Sequence, residues 1–322
     1  MIESCIPSIN SSQTAAPGVD AAVGTAAIAT QYSLRGYLVL EDVIDRRDLD
    51  SARSALPHLA GASGTRRSDR FNRVGEIDFS KIPNLAKYSE SFRRLASSPP
   101  LVEAVEALLA QPALLFRDVA IVKPALSGAA FTYHQDSEYW DIEPRALISA
   151  WIPFRDVGVQ DGCLTVIEGS HRRRYPHDLI VGSGRVLPGR LTALLRKMAS
   201  LSGTGDSDAS GSAAMRGLKR YLLGALTRRL NFLAQLQELH ARVSPEDKRN
   251  EVTLPVRAGS AILFHSMLLH SSHPNVSESE RCAYIASYMG EQYTFYGVGS
   301  PEFLVARRSS QPIFKKAKLV RS

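Results

Sequence analysis

Residues 258–289 read AGSAILFHSMLLHSSHPNVSESERCAYIASYM. An apolar, β-prone run leads into a polar Ser/His/Pro/Asn turn, and a second β-rich run follows Arg281. That pattern predicts strands over Ala261–His265 and Cys282–Met289. The turn gathers three histidines, His265, His270 and His273, and Arg281 follows His270 by eleven residues. Imidazoles beside a fixed cation suit a metal site that also takes a carboxylate. A guanidinium pairs with a carboxylate through two parallel hydrogen bonds, and Ser272 is placed to add a hydroxyl. Each of the three histidines is a candidate ligand on spacing alone.

Upstream, from Leu115 to Ile167, short β-rich runs alternate with Gly, Pro and Asp clusters. Strands are expected at Leu115–Val122, Ala130–His134, Leu147–Phe154 and Cys163–Ile167, with a further one at Val252–Val256. Many short strands predict a mainly β, α+β fold built on a sandwich or barrel. Within this block, Phe131–Asp141 reads FTYHQDSEYWD and holds the chain's one His-x-acid pair. Residues two apart on a strand share a face, so His134 and Asp136 can reach one ion while Gln135 points away. About one such pair arises by chance in a chain of this composition, so the pair gains weight only from the second motif. A strand-edge His bonded to a nearby Asp is the bland alternative.

The remaining segments frame this core. Gly36–Leu40 reads as a strand, and Asp45–Leu56 as a helix capped by Asp45 with Leu49, Ala52 and Leu56 on one face. Pro100–Leu109 is a second amphipathic helix. Arg66, Arg67, Arg70 and Arg73 fall in a polar segment read as a solvated loop. Residues 1–30, rich in Ala, Ser, Thr and Gly, read as a disordered leader. Structure is expected from near Tyr32, as one domain over residues 31–306. A helical insertion is expected over about 185–243. Ser200–Ala214 is its flexible middle, and leucines from Leu218 to Leu239 stand at helical spacing opposite a basic face that includes Arg216, Arg220 and Arg229. It reads as a helix packed on the barrel, or as a lid.

The 322 residues carry a formal charge of +7, but six of the basic residues lie in the acid-free tail from Arg307 to Ser322. The rest of the chain is nearly neutral, so nucleic acid is not an expected partner, and the tail reads as a solvated terminus. No apolar run approaches the ~20 residues of a membrane helix. The first Arg is Arg35 and the first Lys is Lys81, so no basic targeting segment is expected. Three scattered cysteines, Cys5, Cys163 and Cys282, form neither a disulfide framework nor a thiolate clip. A soluble cytoplasmic protein with a His/carboxylate metal site is the expectation.

The turn Leu268–Asn275 (LLHSSHPN) with Arg281 resembles the phytanoyl-CoA dioxygenase family of Fe(II)- and 2-oxoglutarate-dependent oxygenases. Trp151–Asp156 (WIPFRD), Asp161–His171 (DGCLTVIEGSH), GYLVLEDVID from Gly36, the Lys123-Pro124 pair and YHQDSEYW extend the likeness, in order, from about Tyr32 to Met289. The resemblance implies a double-stranded β-helix (jelly-roll, cupin-like) core. It implies Fe(II) held by His134, Asp136 and His270, and 2-oxoglutarate clamped by Arg281 with Ser272 and bordered by Trp151. Dioxygen would be the oxidant and a small molecule the substrate. With Asp136 retained, hydroxylation or another C–H oxidation is implied; halogenating relatives carry a small residue there. Glu168 and Ser271 depart from the family's usual Pro and Gly without removing a ligand. Tyr133, Tyr139 and Trp140 flank the motif and are candidate substrate contacts or core aromatics. His171, His177 and His240 read as surface or structural. A cupin-like metalloenzyme without 2-oxoglutarate, and a non-catalytic binding protein, are the competing readings.

Overall fold

The short β-rich runs become two facing antiparallel sheets in a computed structural model. It describes residues 21–60, 68–71, 77–126, 130–140, 142–181, 185–187, 238–295, 302–307, 314–316 and 318–319. Helix α1 (Ala21–Arg35) leads into strand β1 (Tyr37–Leu40), and α2 (Arg46–Leu59) follows. A hairpin of β2 (Ser68–Phe71) and β3 (Ile77–Pro83) precedes helices α3 (Leu85–Tyr88), α4 (Glu90–Ala96) and α5 (Pro99–Leu109). The long β4 (Ala113–Lys123) and the short β5 (Phe131–His134) come next, then β6 (Ile142–Glu143), β7 (Ile148–Pro153) and β8 (Leu164–Ile167). After them lie β9 (His177–Val181), β10 (Arg185–Leu187), β11 (Glu238–Ala241) and β12 (Glu251–Leu254). The opening segment supplies β13 (Ala261–His265), β14 (His270–Ser272) and β15 (Arg281–Gly290). Four short strands finish the order: β16 (Thr294–Phe295), β17 (Glu302–Val305), β18 (Phe314–Lys316) and β19 (Lys318–Leu319).

The larger sheet runs β1-β13-β7-β15-β4-β17-β18, with β3 on β4 and β2 on β3. The smaller sheet runs β12-β8-β14-β5. Trp151, Leu164, Val166, Phe264 and Leu268 pack between them. Helices α2, α4 and α5 cover the outer face of the larger sheet, burying Leu49, Leu56, Phe92, Leu101 and Val105 there. Each such side chain contributes about 1.5–3 kcal/mol on leaving water. The Asp45 carboxylate accepts from the Arg47 amide at the start of α2, and Leu49, Ala52 and Leu56 are buried as their spacing predicts. The architecture is the mainly β jelly roll with flanking helices that was expected. Among the described residues, no helix is long and apolar enough to cross a membrane.

Four expectations need correction. The leader is helical from Ala21 rather than structureless to residue 30; its alanines, which thinned the chain's complexity, are also the strongest helix formers. The Arg-rich segment is not all loop. Ser68–Phe71, with Arg70, pairs with β3 because β4 offers β3 an open edge; Arg66, Arg67 and Arg73 lie outside the described residues. The insertion is not helical at its ends. Arg185–Leu187 and Glu238–Ala241 pair antiparallel with β9, so cross-strand bonding overrides the helical spacing that included Leu239. Residues 188–237 lie outside the described residues. The basic tail is not wholly solvated either: β18 pairs with β17 and β19 with β16, and Arg307 ion-pairs with Glu106.

Candidate metal centre and its cavity

His134 ends β5, directly opposite His270 on β14 in the antiparallel register. Contrary to the expectation of one strand carrying both, Asp136 does not continue β5 but opens a short 3-10 turn, Asp136–Glu138. Gln135 between them keeps an extended backbone (φ −113°, ψ 123°), so both ligand side chains still share one side. Gln135 itself is fully buried on the other side. Its amide nitrogen donates to the carbonyls of Arg173 and Met267, and its side-chain oxygen accepts from the Tyr175 amide. The Gln135 backbone N–H donates to His177 Nε2, which makes His177 structural.

One ligand atom from each of His134, Asp136 and His270 lies within 4.8 Å of the others. Nδ1 of His134 donates to the Thr132 carbonyl at 2.8 Å, and Nδ1 of His270 to that of Leu268 at 2.9 Å. A carbonyl only accepts, so the proton of each neutral ring sits on Nδ1 and the lone pair on Nε2. Both Nε2 atoms stand 3.6 Å from Asp136 Oδ1. Burial first, then the His270 ring, pulls His134 down to about 3, so it is neutral at physiological pH. In that neutral tautomer the two Nε2 lone pairs and the Asp136 carboxylate face one another, an arrangement that a divalent cation satisfies. Two imidazoles and one carboxylate fit non-haem iron(II). Asp136 Oδ2 accepts from Ser149 Oγ at 3.3 Å, and Ser149 is tied to Ser287 at 2.9 Å, which orients the carboxylate.

The triad opens on a cavity of about 240 Å³, bounded by both sheets. Arg281 lines it from β15 and is 2 % exposed. Its guanidinium lies over Trp151, 5.5 Å from the ring centroid. Nη2 donates to the Gly162 carbonyl at 2.7 Å, while Nε is buried without a hydrogen-bond partner. Gly162 has φ +68°, and a Cβ there would come within 2.3 Å of the His273 carbonyl, so glycine is required at this anchor. Burial lowers the Arg281 pKa to about 10, which still leaves the group charged near neutrality. Ser272 Oγ accepts from Lys123 Nζ at 2.8 Å, leaving its own O–H to donate toward the cavity. An orphaned buried donor, a hydroxyl and a buried cation thus fit the distal carboxylate of a 2-oxo diacid. Asn275 fixes this turn by donating to the carbonyls of Lys123, Pro124 and Ser279.

The competing histidines are elsewhere. His273 is exposed. His265 packs against His171 and Tyr32, and its Nδ1 accepts from the Met267 amide. His171 contacts the Ser33 carbonyl, and half-buried His240 lies on β11. Trp151, Tyr139 and Trp140 line the cavity. Tyr133 does not: strand alternation turns it to the opposite face of β5, where its hydroxyl donates to Glu251 at 2.6 Å. Glu168, at the family's proline position, accepts from Tyr37 Oη at 2.7 Å. Two cavity cations escaped sequence reasoning, Lys81 and Arg117. The available signal for Arg117 was a charged Arg-Asp pair inside the apolar strand LLFRDVAIV.

The sequence profile described as Phytanoyl-CoA dioxygenase (PhyH) matches residues 32–283. L-proline trans-4-hydroxylase of Streptomyces griseoviridis is 26% identical over 285 residues, 87% of this chain and 92% of that protein. Phytanoyl-CoA dioxygenase domain-containing protein 1 of Mus musculus is 25% identical over 210 residues, 65% of this chain and 56% of that one. Among solved structures, the epimerase SnoN in complex with Fe3+, alpha ketoglutarate and nogalamycin RO shares the fold. The TM-score is 0.59 at 19% identity, over 93% of this chain and 97% of that one. A profile match over most of the chain, with a His-Asp-His triad at its centre, places this protein in the phytanoyl-CoA dioxygenase family, as a non-haem iron, 2-oxoglutarate-dependent oxygenase.

Proposed function

We propose that the protein hydroxylates an unactivated C–H bond of a small molecule, with 2-oxoglutarate converted to succinate and carbon dioxide. The observation that carries this reading is the meeting of His134 Nε2, Asp136 Oδ1 and His270 Nε2 around one point, in a cavity lined also by Arg281, whose Nε is buried without a hydrogen-bond partner. In this reading His134, Asp136 and His270 hold iron(II), and Arg281 and Ser272 hold the distal carboxylate of the keto acid. Iron(II) with the keto acid and dioxygen supplies the oxidising power, as cofactors do in such enzymes.

The chain's own residues do the rest. Thr132 and Leu268 keep both imidazoles in the metal-binding tautomer through their carbonyls. Ser149 and Ser287 hold Asp136 in register with them. Gly162 and Trp151 fix the guanidinium plane, so the carboxylate meets a preset fork rather than a mobile one. Leu164, Phe264 and Ile285 give the cavity apolar walls that limit water around the reacting carbon. Tyr139 and Trp140 border the space for the substrate. Likeness to a proline hydroxylase over most of both chains supports a small-molecule substrate. A cytoplasmic location belongs to the same reading, supported by buried free thiols at Cys163 and Cys282 that a reducing compartment preserves.

Metal content and succinate release test the reading together. One iron per chain is expected, with succinate formation that needs both iron(II) and 2-oxoglutarate. Metal binding without 2-oxoglutarate binding would make the protein a cupin-like metalloenzyme of another kind. Failure to bind metal would make it a non-catalytic member of the fold.

A further inference from the structure

We propose that Arg117 anchors a carboxylate on the primary substrate, so that the enzyme oxidises a small carboxylic acid, amino acids included. This rests on the iron and 2-oxoglutarate reading above and adds the substrate's chemical class.

Arg117 lies on β4 where the pairing with β15 slips. Ser287 faces Arg117 and Tyr288 faces Leu115, so Phe116 has no opposite residue. Such a bulge re-aims its neighbouring side chains and is common beside active sites. Here Arg117 lines the cavity, its guanidinium carbon 4.6 Å from the Trp140 ring centroid, while Phe116 packs against the same indole at 5.3 Å. Arg117 makes no hydrogen bond or ion pair among the described residues. Asp136 and Asp118 lie near enough to attract it, but neither bonds it directly, and a guanidinium left with free donors in a cleft is a candidate ligand anchor.

The neighbouring acids are committed elsewhere. Asp118 faces the outer core, accepting from the Ala86 amide and the Tyr284 hydroxyl. Asp136 is oriented by Ser149 toward the two imidazoles and forms no ion pair with Arg117. Nor is 2-oxoglutarate the occupant: with its distal carboxylate on Arg281 and its keto acid end at the metal, it has no carboxylate left. Arg281 and Arg117 also stand six positions apart along the sheet, since Arg281 faces Lys123 and Ser287 faces Arg117. That is about 20 Å of strand at roughly 3.4 Å per residue. The cavity thus has two guanidinium–indole pairs, Arg281 with Trp151 and Arg117 with Trp140, and the triad opens into it as well. A volume near 240 Å³ is at the small end for ligand clefts, which suits a compact acid. A guanidinium on an indole face presents its planar edge, the geometry that pairs with a carboxylate.

The chain's two tryptophans let each end be read separately by indole fluorescence. In the iron(II)-loaded full chain without oxygen, Trp140→Phe leaves Trp151 to report 2-oxoglutarate at Arg281. Trp151→Phe leaves Trp140 to report propionate, propionamide and methyl phosphate at Arg117, at constant ionic strength and saturating 2-oxoglutarate. Propionate is expected to give a saturable Trp140 response that propionamide does not. Arg117→Met in the Trp151→Phe background should weaken it at least tenfold, and Arg117→Lys should weaken it less. Thermal unfolding of each variant establishes that it is folded. No saturable response to propionate up to about 100 mM overturns the carboxylate anchor; that ceiling corresponds to binding too weak to matter. So does an equal response to propionamide, a stronger one to methyl phosphate, or one that survives Arg117→Met. The Trp140 result decides this proposal whatever Trp151 shows, whereas a silent Trp151 under 2-oxoglutarate counts against the Arg281 clamp alone.

Discussion

The two sheets that enclose the cavity contribute opposite kinds of group. The smaller sheet and the turn after it bring the electron donors: His134 from β5, His270 from β14 and Asp136 just beyond β5. The larger sheet brings the cations Arg281 from β15 and Arg117 from β4. A metal needs three atoms converging on one point, and two adjacent short strands with a tight turn deliver them. Anionic ligands need cations spaced along a surface, and long strands provide that spacing. The cavity is thereby polarised, with donor atoms on one wall and acceptors of negative charge on the other.

Removing a donor should break this division most severely. Asp136→Ala is expected to abolish stoichiometric iron binding and to cut succinate formation by about a thousandfold or more, because the bond-breaking chemistry belongs to the cofactor. Normal metal content in that variant would end the assignment of Asp136. Next comes the opposite wall. Arg281→Lys keeps the charge but loses the fork, so half-saturation by 2-oxoglutarate should rise about 10- to 100-fold, the worth of a charge-assisted bond. Iron content should hold, and an unchanged 2-oxoglutarate requirement would remove Arg281 from the clamp.

A smaller effect concerns the outer face of the larger sheet. Burial raises the Asp118 pKa from 3.8 to about 6, outweighing its bonds from Ala86 and Tyr284. A carboxyl raised on folding contributes fully below the unfolded value, and that contribution is lost as pH rises through the folded one. Wild type should therefore lose about 2 kcal/mol from this group between pH 4 and pH 7, at 1.36 kcal/mol per unit. Asp118→Asn should not, so the unfolding free energies of the two proteins should separate steadily over that window. Parallel curves would show that Asp118 titrates normally. The smallest effect is expected at Tyr133→Phe, which deletes the bond to Glu251 on the far side of β5. Stability should fall by about 1 kcal/mol and 2-oxoglutarate dependence should not move.

What could be read in advance follows the same division. His134, Asp136, His270 and Arg281 sit in short segments with sharp spacing, so their meeting at one cavity was foreshadowed, although His270 was set apart from His265 and His273 only by the family resemblance. Arg117 was not foreshadowed, because its meaning depends on a bulge and on an indole 23 positions away. Tyr133 stayed open between substrate contact and core aromatic, because adjacency to a ligand says nothing about face; strand alternation turns it to a buried cluster instead of the cavity. Helical leucine spacing failed at Leu239, where Thr132 Oγ1 donates to its carbonyl and its own N–H donates to Tyr139 Oη. Contacts from distant segments outweighed local periodicity there, and the alanine-rich start of α1 shows local propensity winning instead.

Gln135 carries a consequence for metal choice. Sitting between two ligands, it is fastened to the backbone of Arg173, Tyr175 and Met267 and to the imidazole of His177. The residue between the two ligands is thus held by bonds that do not involve the metal. A trio of two nitrogens and one oxygen discriminates poorly among manganese, cobalt, nickel and iron. Purified protein offered manganese, cobalt or nickel should therefore take them in place of iron(II) without unfolding.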